Sequence, residues 1–232
     1  MTTTDHGTIP DAEPLAAATD LATALRELIE LSVVTTVAPA EVRAVAELVR
    51  GASERLAVAR RPVSQLPALG GRAFDPVGGE ASALALPLVM RREDDGVVGE
   101  ATLGVAYEGP PTYVHGGVSA LLMDSVLANA AVAAGVWGMT AHLELDYRGP
   151  LPIGQALVFR ARVAETSGRK SQIVGTIALA SAPDQVLVEA RGLFIKPRQE
   201  KVDTYFDGIT DASGERPSQS RASDATAVPE EG

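Results

Sequence analysis

The most chemically informative stretch of the sequence is residues 115–124, which read His-Gly-Gly-Val-Ser-Ala-Leu-Leu-Met-Asp. Two glycines permit close approach of a substrate and unusual backbone angles at the point where a helix begins. The first N–H groups of a helix have no internal acceptors, and the positive end of the helix dipole lies behind them. Such a site can stabilise the oxyanion that forms when a carbonyl carbon is attacked. The amides of Gly116 and Gly117 are therefore candidate oxyanion donors, and His115 is a candidate hydrogen-bonding group beside them.

Asp124 is the only ionisable residue between Gly116 and Trp137. Burying an unpaired carboxylate is costly, so a single acid in an apolar helix usually has a partner or a function. The alternative is a structural role in which Asp124 orients a neighbouring backbone group. At about 1.5 Å per residue, Asp124 lies about 12 Å along the helix axis from Gly116. It cannot act on a carbonyl bound at its own helix start, so a shared reaction requires two subunits with antiparallel helices.

The elements that position these residues are predicted from hydrophobic periodicity and turn signals. Residues 118–137 form one long apolar helix, preceded by strand patterns at 84–90 and 97–107 around the charged turn at 91–96. Four more strand patterns follow, at 140–148, 155–167, 171–180 and 185–196, with turns at 168–170 and 183–184. This order predicts an α+β domain in which an antiparallel sheet wraps around one central helix.

The two ends of the chain have a different composition from this central domain, for which we predict the boundaries 81–197. Hydrophobic periodicity predicts one helix at residues 15–34 and a second helix with Pro39 in its first turn, which together would form a helical hairpin. Residues 61–80 are rich in Pro and Gly and predict a linker or a loop over the core. Residues 198–232 contain 4 basic and 8 acidic residues, which predicts a disordered acidic tail. The chain is thus divided into a helical extension with linker (1–80), a central domain and a tail.

Composition excludes several classes of function. The chain has 20 Lys and Arg against 30 Asp and Glu, a net charge of −10, which argues against nucleic-acid and anionic-membrane partners. It has no cysteine, so disulfides, thiolate metal sites and a cysteine nucleophile are excluded. The amino terminus lacks the pattern of a secretory signal, which predicts a cytoplasmic protein. A carboxylate at Asp124 also makes the apolar helix a poor membrane span and favours a buried globular helix.

Residues 115–124, followed by Thr-Ala-His-Leu-Glu-Leu-Asp-Tyr-Arg-Gly-Pro-Leu-Pro-Ile-Gly at 140–154, resemble the hotdog-fold acyl-CoA thioesterases of the PaaI type, which include relatives of human thioesterase superfamily member 4. The resemblance covers about residues 81–197. It implies a hotdog fold, an acyl-CoA substrate, a homodimer or dimer of dimers, and hydrolysis that needs no metal or redox cofactor, since coenzyme A is part of the substrate.

The resemblance also implies roles for individual residues. The amides of Gly116 and Gly117 match those that polarise the thioester carbonyl, and His115 matches the histidine that organises the pocket. Asp124 matches the acid, supplied by the partner subunit, that acts as general base on water or as nucleophile. Thr140 resembles a threonine that helps to hold this water, although an ordinary strand residue is equally compatible with the sequence.

Other observations leave alternatives open. Many relatives carry an Asn before the His-Gly pair, where this chain has Glu-Gly-Pro-Pro at 108–111, so the leaving-group side of the pocket is expected to differ. Basic residues are candidates for binding the phosphates of coenzyme A or for ordinary surface ion pairs: Arg160, Arg162, Arg169, Lys170 and Arg191. A hotdog protein that binds acyl-CoA without turnover is the main alternative function. A serine hydrolase using Ser119 is disfavoured, because the second glycine of the G-x-S-x-G motif is absent.

Overall fold

The computed structural model describes residues 12–60, 73–93 and 96–205. Two helices, α1 (Ala12–Val34) and α2 (Pro39–Ala57), precede strands β1 (Val89–Glu93) and β2 (Gly96–Thr102). A 3₁₀ turn (Val105–Tyr107) then leads to helix α3 (Gly116–Ala133). The chain continues through β3 (Met139–Tyr147), β4 (Ala156–Ser167), β5 (Lys170–Leu179) and β6 (Ala182–Ile195) to a short helix, α4 (Gln199–Tyr205).

The strands form one six-stranded antiparallel sheet in the order β1-β2-β4-β5-β6-β3, and α3 packs across one of its faces. This arrangement confirms the predicted α+β architecture with an antiparallel sheet around a central helix. The strand that directly follows α3 lies at one edge of the sheet, because β3 pairs with β6 alone among the described strands. The position of β3 therefore leaves one side of this strand open next to the helix.

The core lies between α3 and the facing side of the sheet. In β4, the buried Leu157, Phe159 and Ala161 alternate with the exposed Arg160 and Arg162, because successive strand residues point to opposite faces. The residues of α3 that meet this surface are Leu122, Met123, Val126, Leu127, Ala130 and Ala131. Burying a large apolar side chain stabilises the fold by about 1.5–3 kcal/mol, so this interface holds the helix firmly on the sheet.

Helix α3 is the one helix among the described residues that is long and apolar enough to span a membrane. Its buried side belongs to the core of the domain, in agreement with the predicted buried globular helix.

The amino-terminal extension is helical, and its two helices are joined by the short segment 35–38. Helix α1 packs on the 3₁₀ turn and α2 has no buried residue among those described, so the predicted helical hairpin remains a prediction. The loop at 73–88 lies over the core and contributes Val77, Leu86 and Leu88 to it. Residues 1–11, 61–72, 94–95 and 206–232 lie outside the described residues, and the predicted domain boundaries remain predictions.

Several predicted element boundaries are wrong. The first strand covers Val89–Glu93 rather than 84–90. Leu86 and Leu88 are buried in the preceding loop, and their alternation therefore reflects burial and not strand pairing. The second strand ends at Thr102, the apolar helix ends at Ala133 rather than Trp137, and 183–184 lie inside β6. The predicted disordered tail begins with a helix, because Gln199–Tyr205 forms α4.

Candidate active site

His115 caps the start of α3 with its own side chain. Its backbone is extended (φ −62°, ψ 133°), its Nδ1 accepts a hydrogen bond from the Gly117 N–H at 2.9 Å, and its carbonyl oxygen accepts from Val118. An imidazole nitrogen that accepts a hydrogen bond carries no proton, so the neutral ring has its proton on Nε2. The side chain therefore offers an N–H donor at Nε2 beside the helix start.

The two predicted oxyanion donors differ in the structure. The Gly117 N–H is engaged by His115, whereas no described residue accepts from the Gly116 N–H. Neither glycine has a positive φ. What the absence of a side chain provides at Gly116 is space, because a Cβ there would lie 3.3 Å from the hydroxyl oxygen of Tyr147.

Tyr147 is a site residue to which the sequence analysis assigned no role. Its hydroxyl donates a hydrogen bond of 2.7 Å to the Gly116 carbonyl oxygen and so ties the end of β3 to the start of α3. The available signal was the Tyr-x-x-Pro pattern at 147–150 in the segment that carries the family resemblance. Two backbone hydrogen bonds fix the residues just before the helix: His115 donates to Tyr107 and Val114 donates to Leu151, both at 2.9 Å.

Asp124 and Thr140 lie together. The Thr140 hydroxyl donates a 2.9 Å hydrogen bond to Oδ1 of Asp124, which is half-buried in the middle of α3. Thr140 is exposed and belongs to the edge strand β3, so the pair sits at the open side of the sheet. One carboxylate oxygen is thus fixed by a neutral donor, and no described residue donates a side-chain hydrogen bond to the other.

The face of α3 turned away from the sheet carries Gly117, Leu121, Asp124 and Ala128, at the 3–4 residue spacing of one helix side. Leu121 is 43% exposed, although it lies near the middle of an apolar helix. Asp124 and Gly117 share this face but stand about 10 Å apart along the axis at 1.5 Å per residue. A single chain therefore presents both groups on one side without bringing them to one substrate atom.

The basic candidates for a coenzyme A site lie in two groups. Arg160, Arg162 and Arg191 line one pocket on the sheet, whereas Arg169 and Lys170 lie at the turn between β4 and β5. Arg169 donates to the Lys196 carbonyl oxygen at 2.8 Å, and Lys170 begins β5 opposite Ile195. Arg191 is four residues from Ile195 in β6, about 13 Å away at 3.3 Å per strand residue. It lies 3.7 Å from the carboxylates of Glu144 and Asp146, which is the ordinary surface ion pairing that was the alternative interpretation.

Ser119, the candidate nucleophile of the serine-hydrolase alternative, is 1% exposed. Its side chain points into the domain, on the opposite side of the helix from the face that carries Asp124. A nucleophile must meet its substrate, so this burial disfavours the alternative.

Comparison with known proteins identifies the family. Residues 112–179 match the Thioesterase superfamily. The crystal structure of a thioesterase superfamily protein is 36% identical to this chain, with a TM-score of 0.67, and the similarity covers 77% of this chain and 94% of that one. The chain belongs to the thioesterase superfamily. The similarity to that structure spans more of the chain than residues 81–197, so it extends beyond the domain expected from the motifs.

Two curated relatives are similar over a shorter region. Acyl-coenzyme A thioesterase THEM4 of Xenopus laevis is 37% identical over 94 residues, which are 40% of this chain and 41% of the relative. The mouse protein of the same name is 35% identical over 99 residues, 42% of each chain. This chain therefore spans about two fifths of the length of the curated relatives that it matches.

Proposed function

We propose that this protein hydrolyses the thioester bond of an acyl-CoA. The observation that carries the proposal is the Asp124–Thr140 pair on the open face of α3, on the same side as a helix start that presents two hydrogen-bond donors. Membership of the thioesterase superfamily and the similarity to proteins named acyl-coenzyme A thioesterase support this reaction class.

In the proposed reaction, the thioester carbonyl oxygen binds at the start of α3 and accepts hydrogen bonds from the Gly116 N–H and from Nε2–H of His115. The carboxylate of Asp124 removes a proton from a water molecule, and the water oxygen attacks the carbonyl carbon. The oxyanion then collapses and the bond between carbon and sulfur breaks. The leaving thiolate of coenzyme A takes up the proton held by Asp124, which restores the carboxylate and gives the free acid and the thiol. General-base assistance and oxyanion stabilisation each contribute about 10² or more to the rate.

A homodimer with antiparallel α3 helices would complete this site. Gly117 and Asp124 are placed symmetrically about the midpoint between Ala120 and Leu121. A two-fold axis at that midpoint would bring Asp124 level with Gly117 of the partner subunit, with the uncovered face of each helix against the other. The open edge of β3 lies beside this face and would join the interface. The exposed Leu121 would be buried at the axis, which gives a physical reason for an apolar residue there.

The decisive experiment measures thiol release from a panel of acyl-CoA thioesters by the wild-type chain and by Asp124→Asn. Because the chain has no cysteine, the protein does not react with the thiol reagent. We expect Asp124→Asn to keep the fold and to lower kcat by about 10²-fold or more, since it removes the general base. Ser119→Ala is the matched control on the same helix and should keep its activity.

Three outcomes would contradict parts of this proposal. Coenzyme A binding without thiol release from any thioester of the panel would support the non-catalytic alternative. Full activity of Asp124→Asn would remove the carboxylate from the mechanism. Loss of activity in a folded Ser119→Ala variant would restore the serine-hydrolase hypothesis.

A further inference from the structure

Helix α1 contacts the thioesterase domain through two polar side chains one turn apart. Arg26 donates to the carbonyl oxygens of Ser82 at 2.7 Å and Glu80 at 3.3 Å. Glu30 accepts two backbone N–H groups, with Oε1 2.9 Å from the nitrogen of Val105 and Oε2 3.1 Å from that of Ala106. Both carboxylate oxygens of Glu30 are thus occupied by the first amides of the 3₁₀ turn, across about 75 residues of sequence.

The domain is shaped to receive this carboxylate. A Cβ on Gly104 would overlap Oε1 of Glu30, and its three nearest atoms all belong to the Glu30 carboxylate. The backbone of Gly104 is extended (φ −82°, ψ −178°), a conformation that every residue type adopts. The glycine is therefore required here for space and not for its backbone angles. A methyl group at this position would displace the carboxylate without straining the turn.

The turn that Glu30 holds is in direct contact with His115. The Tyr107 carbonyl oxygen accepts the His115 N–H at 2.9 Å, and a Cβ on Gly109 would lie 2.7 Å from the His115 Cα. Tyr107 and Gly109 therefore fix the position of the His115 backbone, just before α3 begins. A shift of the turn would move His115, whose Nδ1 in turn engages the Gly117 amide.

We propose that Glu30 is a positioning residue for His115, so that helix α1, which lies outside the domain recognised by its motifs, is part of the active-site scaffold. The inference rests on the proposed function, since its consequence for activity requires that His115 contacts the substrate. Displacement of a reacting group by about 1 Å can cost up to about 10²-fold in rate.

The kinetic test uses two variants that remove the same contact from opposite sides. Glu30→Gln keeps the side-chain length but replaces one acceptor oxygen by a donor, and Gly104→Ala expels the carboxylate and leaves its charge intact. We expect each to lower kcat by about tenfold with KM within about twofold, because His115 acts on the oxyanion. The control is Glu27→Gln, one turn earlier on the exposed side of α1, which should leave kcat unchanged.

The double variant distinguishes positioning from two unrelated structural defects. If both changes act through the same contact, Glu30→Gln combined with Gly104→Ala should lower kcat by no more than either change alone. All assays are made below the onset of denaturation of each variant, so that the unfolded fraction does not contribute. Multiplying effects in the double variant, or kcat within twofold of Glu27→Gln in both single variants, would overturn the proposal.

Hydrogen exchange tests the coupling without reference to catalysis. In Glu30→Gln and Gly104→Ala we expect faster exchange at the amides of Val105, Ala106 and His115, with unchanged exchange in the buried half of α3. Unchanged exchange at His115 would overturn the positioning role even if activity falls. If the wild-type chain releases no thiol, the proposed function fails, and the exchange data still decide whether Glu30 orders His115.

Discussion

Replacement of Thr140 by valine tests how much of the activity depends on the orientation of Asp124. Valine has the shape of threonine but no hydroxyl, so the 2.9 Å hydrogen bond to Oδ1 of Asp124 is lost while the Cγ2 methyl group is kept. Thr140→Ser is the matched control, because it keeps the hydroxyl and loses only a methyl group. Both substitutions are on an exposed position of an edge strand, where β-branched residues are favoured and large changes in stability are not expected.

The expected size of the effect follows from the strength of this contact. A hydrogen bond to a charged group contributes about 1.5–3 kcal/mol, and a factor of ten corresponds to about 1.4 kcal/mol. If the hydroxyl serves to hold the carboxylate in the orientation that removes a proton from water, Thr140→Val should lower kcat by about 10- to 100-fold. Thr140→Ser should lie within about threefold of the wild type, since its hydroxyl can make the same bond.

The assay is steady-state thiol release from the best acyl-CoA of the panel, with the midpoint of urea denaturation measured for each variant. A kcat for Thr140→Val within twofold of Thr140→Ser would refute the orienting role of the hydroxyl. Threonine would then be an ordinary residue of β3, which is the alternative that the sequence left open. A parallel fall in both variants would instead assign the effect to packing at the edge of the sheet.

Two further predictions concern the assembly and the contact with α1. Because the chain has no cysteine, Leu121→Cys introduces a single thiol, and its oxidation should give a disulfide-linked dimer if the two-fold axis passes near this residue. Leu48→Cys, on an exposed position of α2, is the control. Equal cross-linking of both variants would count against the axis. Burial and the nearby Glu30 carboxylate raise the pKa of Tyr107, so this residue's contribution to stability is complete below about pH 10 and is lost as the pH rises through the raised pKa. The urea midpoint of the wild type should therefore fall more steeply than that of Tyr107→Phe between about pH 10 and 12, and identical slopes would contradict this interpretation.

The sequence predicted the parts of the fold in which burial and hydrogen bonding follow the same pattern. The alternation in β4, where Phe159 is buried and Arg160 exposed, gives the strand and its inner face together. The same reasoning failed at Leu86 and Leu88, which alternate in the same way within a loop. A periodic apolar pattern reports which side chains leave water, and a loop lying over the core meets that condition without strand pairing.

The site was predictable only where its residues are adjacent in sequence or carry the family motif. The distance between Asp124 and the helix start follows from helix geometry alone, so a site shared between two subunits could be proposed from the sequence and stays a prediction. The hydrogen bond from the Gly117 N–H to His115 depends on the side-chain rotamer of His115. The sequence does not show whether this amide is bonded to the histidine or is free to bind a substrate oxygen.

The contact of Glu30 shows most clearly where sequence reasoning ends and why the extension matters. A glutamate in an amphipathic helix is normally solvated, and no neighbouring residue distinguishes Glu30 from Glu27. The complementary signal is Gly104, which in sequence resembles any glycine at the end of a strand. Only the fold brings the carboxylate to the unpaired amides of the 3₁₀ turn, where an anion is favoured for the same reasons as at a helix start. Unpaired amides at two successive turns are thus treated differently: Glu30 accepts from those before His115, whereas the Gly116 N–H has no acceptor among the described residues and is the proposed donor to a substrate. In that proposal, the first contact fixes the geometry of the second.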